Sequence, residues 1–185
     1  MEFTLIRHPL SPASVIDTIS VEISRSTDAR LALCYRMTGD ITSLAMPFIM
    51  AKERADDLWR TTCFEAFLKR PGSARYVEFN FSPSTRWAGY IFDGYREGRR
   101  DFSCAGLPRL DIRAGTNSLE LGAILSLPGA ESSDWQSVDL ALGLSAVIET
   151  RGGEKSYWAL AHPPGEPDFH AGDCFAGLLR APGGS

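Results

Sequence analysis

No apolar run in this chain approaches the roughly 20 residues that a membrane-spanning helix requires. The four cysteines, Cys34, Cys63, Cys104 and Cys174, show no Cys-x-x-Cys spacing, so the sequence signals neither a zinc site nor a redox pair. There is no phosphate loop and no dinucleotide fingerprint. Ser145, in Gly143-Leu144-Ser145-Ala146, lacks the second glycine of a nucleophile elbow. A basic excess is also missing. The 19 Lys and Arg stand against 23 Asp and Glu, for a net charge of −4, which argues against nucleic-acid binding. The local exception is Arg96-Glu97-Gly98-Arg99-Arg100, which reads as a solvated loop rather than a phosphate site because no aromatic row accompanies it. The opening residues, MEFTLIRHPLSP, carry an acid at position 2 and no apolar h-region, so they do not read as a signal peptide. The expected compartment is the cytoplasm, with the cysteines as free, space-filling thiols.

What is present is an ordinary globular composition, with 44% hydrophobic and 23% charged residues over 185 positions. That length fits one domain, 1–185, with a sizeable core. Helical periodicity is scarce and two-residue alternation dominates. Strands are expected over 3–6, 19–24, 31–37, 41–47, 62–69, 76–82, 87–95, 110–112, 119–125, 140–149, 156–162 and 175–179. Turn signals separate them, among them Thr38-Gly39-Asp40, Arg70-Pro71-Gly72-Ser73 and Arg151-Gly152-Gly153. Short helices are expected at most over 12–17 or 50–58. About ten short strands imply an antiparallel sandwich or barrel.

Residues 57–95 carry the chemistry. A strand sends alternate side chains to opposite faces. Val77, Phe79 and Phe81 therefore point to a core, and Tyr76, Glu78 and Asn80 point the other way. Glu65 lies on the preceding strand, in the parity of Cys63 and Phe67, so a short turn brings it onto the face of Glu78. Two carboxylates that close raise one another's pKa or need donors between them. This polar face is a solvated sheet surface, a ligand site, a structural calcium site or a satisfied buried network. Trp59 and Trp87 bracket the strands. Trp59, at the start of its strand, is the expected exposed plate. Trp158 shares parity with Leu160 and His162, and that row does not reveal which side is core. His162 and Asp168-Phe169-His170 flank a proline-rich loop.

Several segments together resemble DOMON-like domains: LWRTTCFEAFL, YVEFNFSPSTRWAGYIFDGYREG, SAVIET, SYWALAHP and PDFHAGDCF. That β-sandwich superfamily includes the family 9 carbohydrate-binding modules and cytochrome-type haem-binding domains. The resemblance implies an all-β, two-sheet antiparallel sandwich with a ligand site on or at the edge of one sheet. In the carbohydrate-binding branch, aromatic plates clamp a sugar while polar side chains hold its hydroxyls. Carried over, Trp59 and Trp158 match plates, and Glu65, Glu78 and Asn80 match polar partners. The haem branch uses Met and His ligands, and Met37, Met46 and Met50 form no Met–His pair on a matching motif. The expectation is a non-catalytic domain for a sugar, nucleotide sugar or cell-wall precursor. Its expected binding residues are Trp59, Glu65, Glu78, Asn80, Trp87, Trp158 and His162, with no cofactor or metal. A protein-interaction module without small ligand is the alternative, and a carboxylate-dependent enzyme a third.

Overall fold

Alternation of side chains, more than any local helix propensity, shapes the computed structural model, which describes residues 1–102, 104–127, 135 and 137–183. Among the described residues twelve strands form: β1 (Glu2–Arg7), β2 (Ile16–Arg25), β3 (Arg30–Gly39), β4 (Cys63–Lys69), β5 (Tyr76–Phe81), β6 (Trp87–Phe92), β7 (Arg100–Asp101), β8 (Arg109–Ala114), β9 (Ser118–Ser126), β10 (Leu140–Glu149), β11 (Lys155–Ala159) and β12 (Gly177–Leu179). Every pairing between these strands is antiparallel. The hydrogen-bonded path runs β7-β6-β5-β4-β10-β11-β1-β2-β3-β9-β8, with β12 on β10.

Two strands make the sheet continuous. β1 pairs with β2 through Glu2–Leu5 and with β11 through Ile6 and Arg7. It thereby joins two halves that the sequence suggested as separate sheets. β10 gives one edge to β4. Its other edge is divided, with Ser145–Glu149 taking β11 and Leu140–Leu142 taking β12. The result is one large antiparallel sheet that curls on itself.

The main core fills the curl. Ile19, Val21 and Ile23 of β2 and Leu31, Leu33, Tyr35 and Met37 of β3 belong to the same buried cluster as Ala66, Leu68, Val77, Phe79 and Phe81 from β4 and β5. Tyr35 crosses the interior. Its ring lies 5.0 Å from that of Phe64, and its hydroxyl donates to the Glu65 backbone carbonyl at 2.7 Å. Burying rows of this size supplies the dominant favourable term in folding, at about 25 cal/mol per Å² of apolar surface.

Three local expectations fail for identifiable reasons. Residues 41–47 do not form a strand. Asp40 accepts from the Thr42 amide at 3.0 Å and caps a 3-10 turn, Ile41–Ser43, that buries Ile41 and Leu44. Residues 12–17 do not form a helix, because Ile16 already pairs with Gly39 in the sheet. Residues 50–58 stay irregular up to a 3-10 turn, Leu58–Arg60, since the backbone near Arg54 and Ala55 bonds to Trp87. At the open edge, β8 alternates Arg109, Asp111 and Arg113 outward, charges that discourage further strand pairing. No helix among the described residues is long and apolar enough to cross a membrane.

Candidate functional site

β5 divides its side chains as the alternation requires, but its polar row is buried. Glu78 is 5% exposed and Asn80 0%. Register explains what surrounds them. Glu65 pairs with Asn80 on one side and Ser145 on the other, and Glu78 pairs with Phe67 and Tyr90. Paired residues share a face, so Glu65, Glu78, Asn80, Tyr90 and Ser145 lie together on the side away from the main core. A second apolar cluster forms there from Phe67, Tyr76, Ala88, Tyr90 and Phe92. Leu58, Phe169 and Phe175 pack onto it from the loops. The segment between β11 and β12 roofs the face, which is why this row does not reach solvent.

Between roof and sheet lies a cavity of about 600 Å³. Glu65 and Glu78 form its base. Tyr90, Phe92, Tyr157 and Phe169 line its sides, and Trp59, Arg96, Arg99 and Lys155 stand at its more exposed rim, with Glu166 among them. Trp59 is 46% exposed, and the Arg60 guanidinium lies 5.3 Å from its ring centre.

The base holds two carboxylates away from water. Ser145 Oγ donates to Glu65 Oε2 at 3.1 Å, and Asn80 Nδ2 donates to Glu78 Oε1 at 2.5 Å. Burial first, and then the Glu78 charge, push the Glu65 carboxyl up to about 8. Burial also raises Glu78, against the opposing pull of Asn80, Arg96 and Arg99. Near neutral pH the pair therefore retains a proton, and the base presents both a donor and acceptors.

His170 closes the cavity from the roof. The Arg96 amide donates to Tyr76 Oη at 3.2 Å, and Tyr76 Oη shares a hydrogen bond with His170 Nδ1 at 2.8 Å. His170 Nε2 lies 3.7 Å from Glu78 Oε2. Burial first, and then Arg96, lower His170 to about 4. The ring is neutral at pH 7, so its approach to Glu78 is not an ion pair. Asp168 fastens the roof to the β6–β7 turn. It accepts from Arg96 at 2.7 Å, from Tyr95 at 2.6 Å and from the His170 amide at 3.1 Å. Burial works to raise the Asp168 carboxyl, but these donors hold it below the usual range.

The structure brings Trp59, Glu65 and Glu78 to the cavity, with Asn80 bonded to Glu78 behind its base. It does not bring Trp87, Trp158 or His162. Trp87 has the parity of Ile91 and sits in the main core at 5% exposure. Trp158 also faces that core, and its indole donates to Ser156 Oγ at 3.0 Å. His162 bonds the Ile6 carbonyl at 2.9 Å and meets His8 edge-on at 4.7 Å. Tyr157, in the opposite parity from Trp158, is the β11 aromatic that lines the cavity. Sequence reasoning missed Tyr90, Phe92, Arg96, Arg99, Lys155, Tyr157, Phe169 and His170. For Tyr90 and Phe92 the signal was available, since a hairpin from Glu78 fixes their face; the other missed residues come from the β6–β7 turn, from β11 and from the segment after it.

Among the described residues, no group of three or more His, Cys, Asp and Glu is placed to hold a metal ion. No methionine lines the cavity; Met37 is buried in the main core and Met50 is 45% exposed.

No family model and no curated protein matches the chain. Solved structures do. A candidate carbohydrate-binding protein from Bacteroides uniformis ATCC 8492 has a TM-score of 0.66 at 18% identity, covering 98% of this chain and 86% of that one. A family 9 carbohydrate-binding module from Caldicellulosiruptor kristjanssonii, solved in complex with glucose, has a TM-score of 0.55 at 8% identity, covering 95% and 81%. At these identities the similarity establishes a shared fold.

Proposed function

We propose that this protein is a non-catalytic binding domain for a small carbohydrate-like ligand, seated in the cavity over β4, β5 and β6. The observation that carries this reading is the pair of buried carboxylates, Glu65 and Glu78, at the base of a cavity whose rim holds the exposed indole of Trp59. A sugar ring offers hydroxyls that donate to and accept from such a base, and an apolar face that stacks on an aromatic plate. The carbohydrate-binding descriptions of both structural neighbours support it. Within this reading the curled sheet is a two-sided sandwich of the DOMON-like kind.

The test is calorimetry and tryptophan fluorescence with glucose, other hexoses, disaccharides and nucleotide sugars. Saturable binding that disappears in Trp59→Ala is expected. Absence of binding across the whole panel overturns the proposal. It then favours a protein-interaction module, for which exposed Phe48 (89%) and Ile49 (76%) are the supporting observation.

A further inference from the structure

The β6–β7 turn carries three arginines, and their fates differ. Arg100 is paired with Asp93 at 2.7 Å, and Arg96 with Asp168 at 2.7 Å. Arg99 makes neither an ion pair nor a hydrogen bond among the described residues. It lies over the Tyr90 ring, 5.1 Å from its centre, and lines the cavity. The ring beneath it is itself fixed, because the Tyr90 hydroxyl donates to Asp56 at 2.6 Å. The turn is tightly built as well. Gly98 has φ +64°, and a Cβ there would fall 2.4 Å from Asp93 Oδ2. Lys155 lines the same rim and donates to the Arg60 carbonyl, with no carboxylate partner among the described residues.

Charge in this cavity is therefore sorted by depth. The acids lie at the base, at 3% and 5% exposure, and two cations with no carboxylate at ion-pair distance among the described residues stand at the rim, offset in part by Glu166, by Asp56 near Arg99 and by Glu149 opposite Lys155 in the register. The aromatic support that a phosphate or carboxylate site needs, invisible along the sequence of this turn, comes from Tyr90 on the adjoining strand. We propose that the ligand is a carbohydrate bearing an oxyanion substituent, a phosphate or a carboxylate, gripped at the rim by Arg99 and Lys155. Its hydroxyls reach down to Glu65 and Glu78. A guanidinium presents a flat fork of donors matched to such oxyanions. The buried acids repel an anion from the base, and so fix which end of the ligand enters first. This inference rests on the carbohydrate reading above.

The experiment compares glucose, glucose 6-phosphate, glucuronate and inorganic phosphate by calorimetry in a phosphate-free buffer, on the wild type, Arg99→Gln and Lys155→Gln. One of the two anionic sugars is expected to bind about tenfold tighter than glucose at low salt, consistent with charge-assisted bonding. Raising salt from about 50 mM to about 300 mM should narrow that gap, because the rim is exposed to screening. Arg99→Gln should close most of it. Glucose binding with no gain for either anionic sugar overturns this inference and leaves the carbohydrate reading standing. No sugar binding at all overturns both. Inorganic phosphate binding as tightly as the sugar phosphate overturns it in favour of a simple anion site.

Discussion

Ser145 on β10 donates its hydroxyl to Glu65 on β4 at 3.1 Å, across two strands that pair residue for residue at this point. The bond lies on the face opposite the main core, so the sheet carries chemistry on one side and packing on the other. A neutral hydroxyl is a weak partner for a buried acid, which leaves Glu65 sensitive to its own protonation.

Stability should accordingly depend on Glu65. Its carboxyl sits at about 8 in the fold against an ordinary 4.5, so between those values the unfolded chain has lost a proton that the native chain keeps. Stability is then fully retained below about 4.5, falls as pH rises toward about 8, and levels above it. Glu78, also raised, acts with the same sign. Glu65→Gln should be more stable than the wild type at pH 8, by on the order of a few kcal/mol, with a flatter profile of Tm against pH. Chemical denaturation across that range measures it, and an unchanged slope rejects it.

His170 should behave in the opposite sense. With its folded value near 4 against 6.5, the unfolded chain binds a proton first, and stability falls as pH drops from 6.5 toward 4. Imidazole chemical shifts followed by NMR should show His170 still neutral at pH 5.5, which a free histidine would not be. A midpoint near 6.5 would mean that the roof does not exclude water from the ring.

Two tryptophans should separate binding from folding. Trp59→Ala removes a half-exposed ring and is expected to change stability by less than about 0.5 kcal/mol while abolishing ligand binding. Trp87→Ala opens a hole opposite Phe81 in the main core and should cost about 3–5 kcal/mol. Urea midpoints and ligand titrations on both variants give the comparison, and equal stability losses would be inconsistent with the burial of the two rings.

Gly98→Ala should disturb the rim without touching the base. The added methyl collides with Asp93 and the positive φ disfavours any side chain, so a loss of at least about 1 kcal/mol is expected. Because Arg99 follows this residue directly and Arg96 lies two positions before it, any preference for anionic sugars should fall further than the affinity for glucose.

The sheet was legible where a single face is apolar. Val77, Phe79 and Phe81, or Ile19, Val21 and Ile23, announce strand and direction together, because alternation is a local property. The base of the site was legible for the same reason, since Glu65 and Glu78 interrupt apolar rows at matching parity. Trp158 misled because both faces of β11 are covered, by core on one side and roof on the other, so its parity says nothing about exposure. Arg99 read as a solvated loop because Tyr90, the ring beneath it, reaches it only once β6 has turned into β7. Residues 41–47 misled because Ile41 and Leu44 fit a strand pattern, while Asp40 capping the next turn is a choice between two local hydrogen-bonding schemes.

The roof leaves the sheet at the end of β11 and returns through β12 to the same edge of β10. Its two anchor points thus belong to one strand, whose spacing does not change whatever passes between them. Lengthening a loop fixed in this way costs little, about 0.6 kcal/mol for each doubling. The roof is therefore exchangeable in length between these anchors, so long as the rings that pack onto the sheet, Phe169, His170 and Phe175, are kept. Transplanted segments of different length and composition should re-specify what the cavity accepts while β4, β5 and β10 keep the carboxylate base in place.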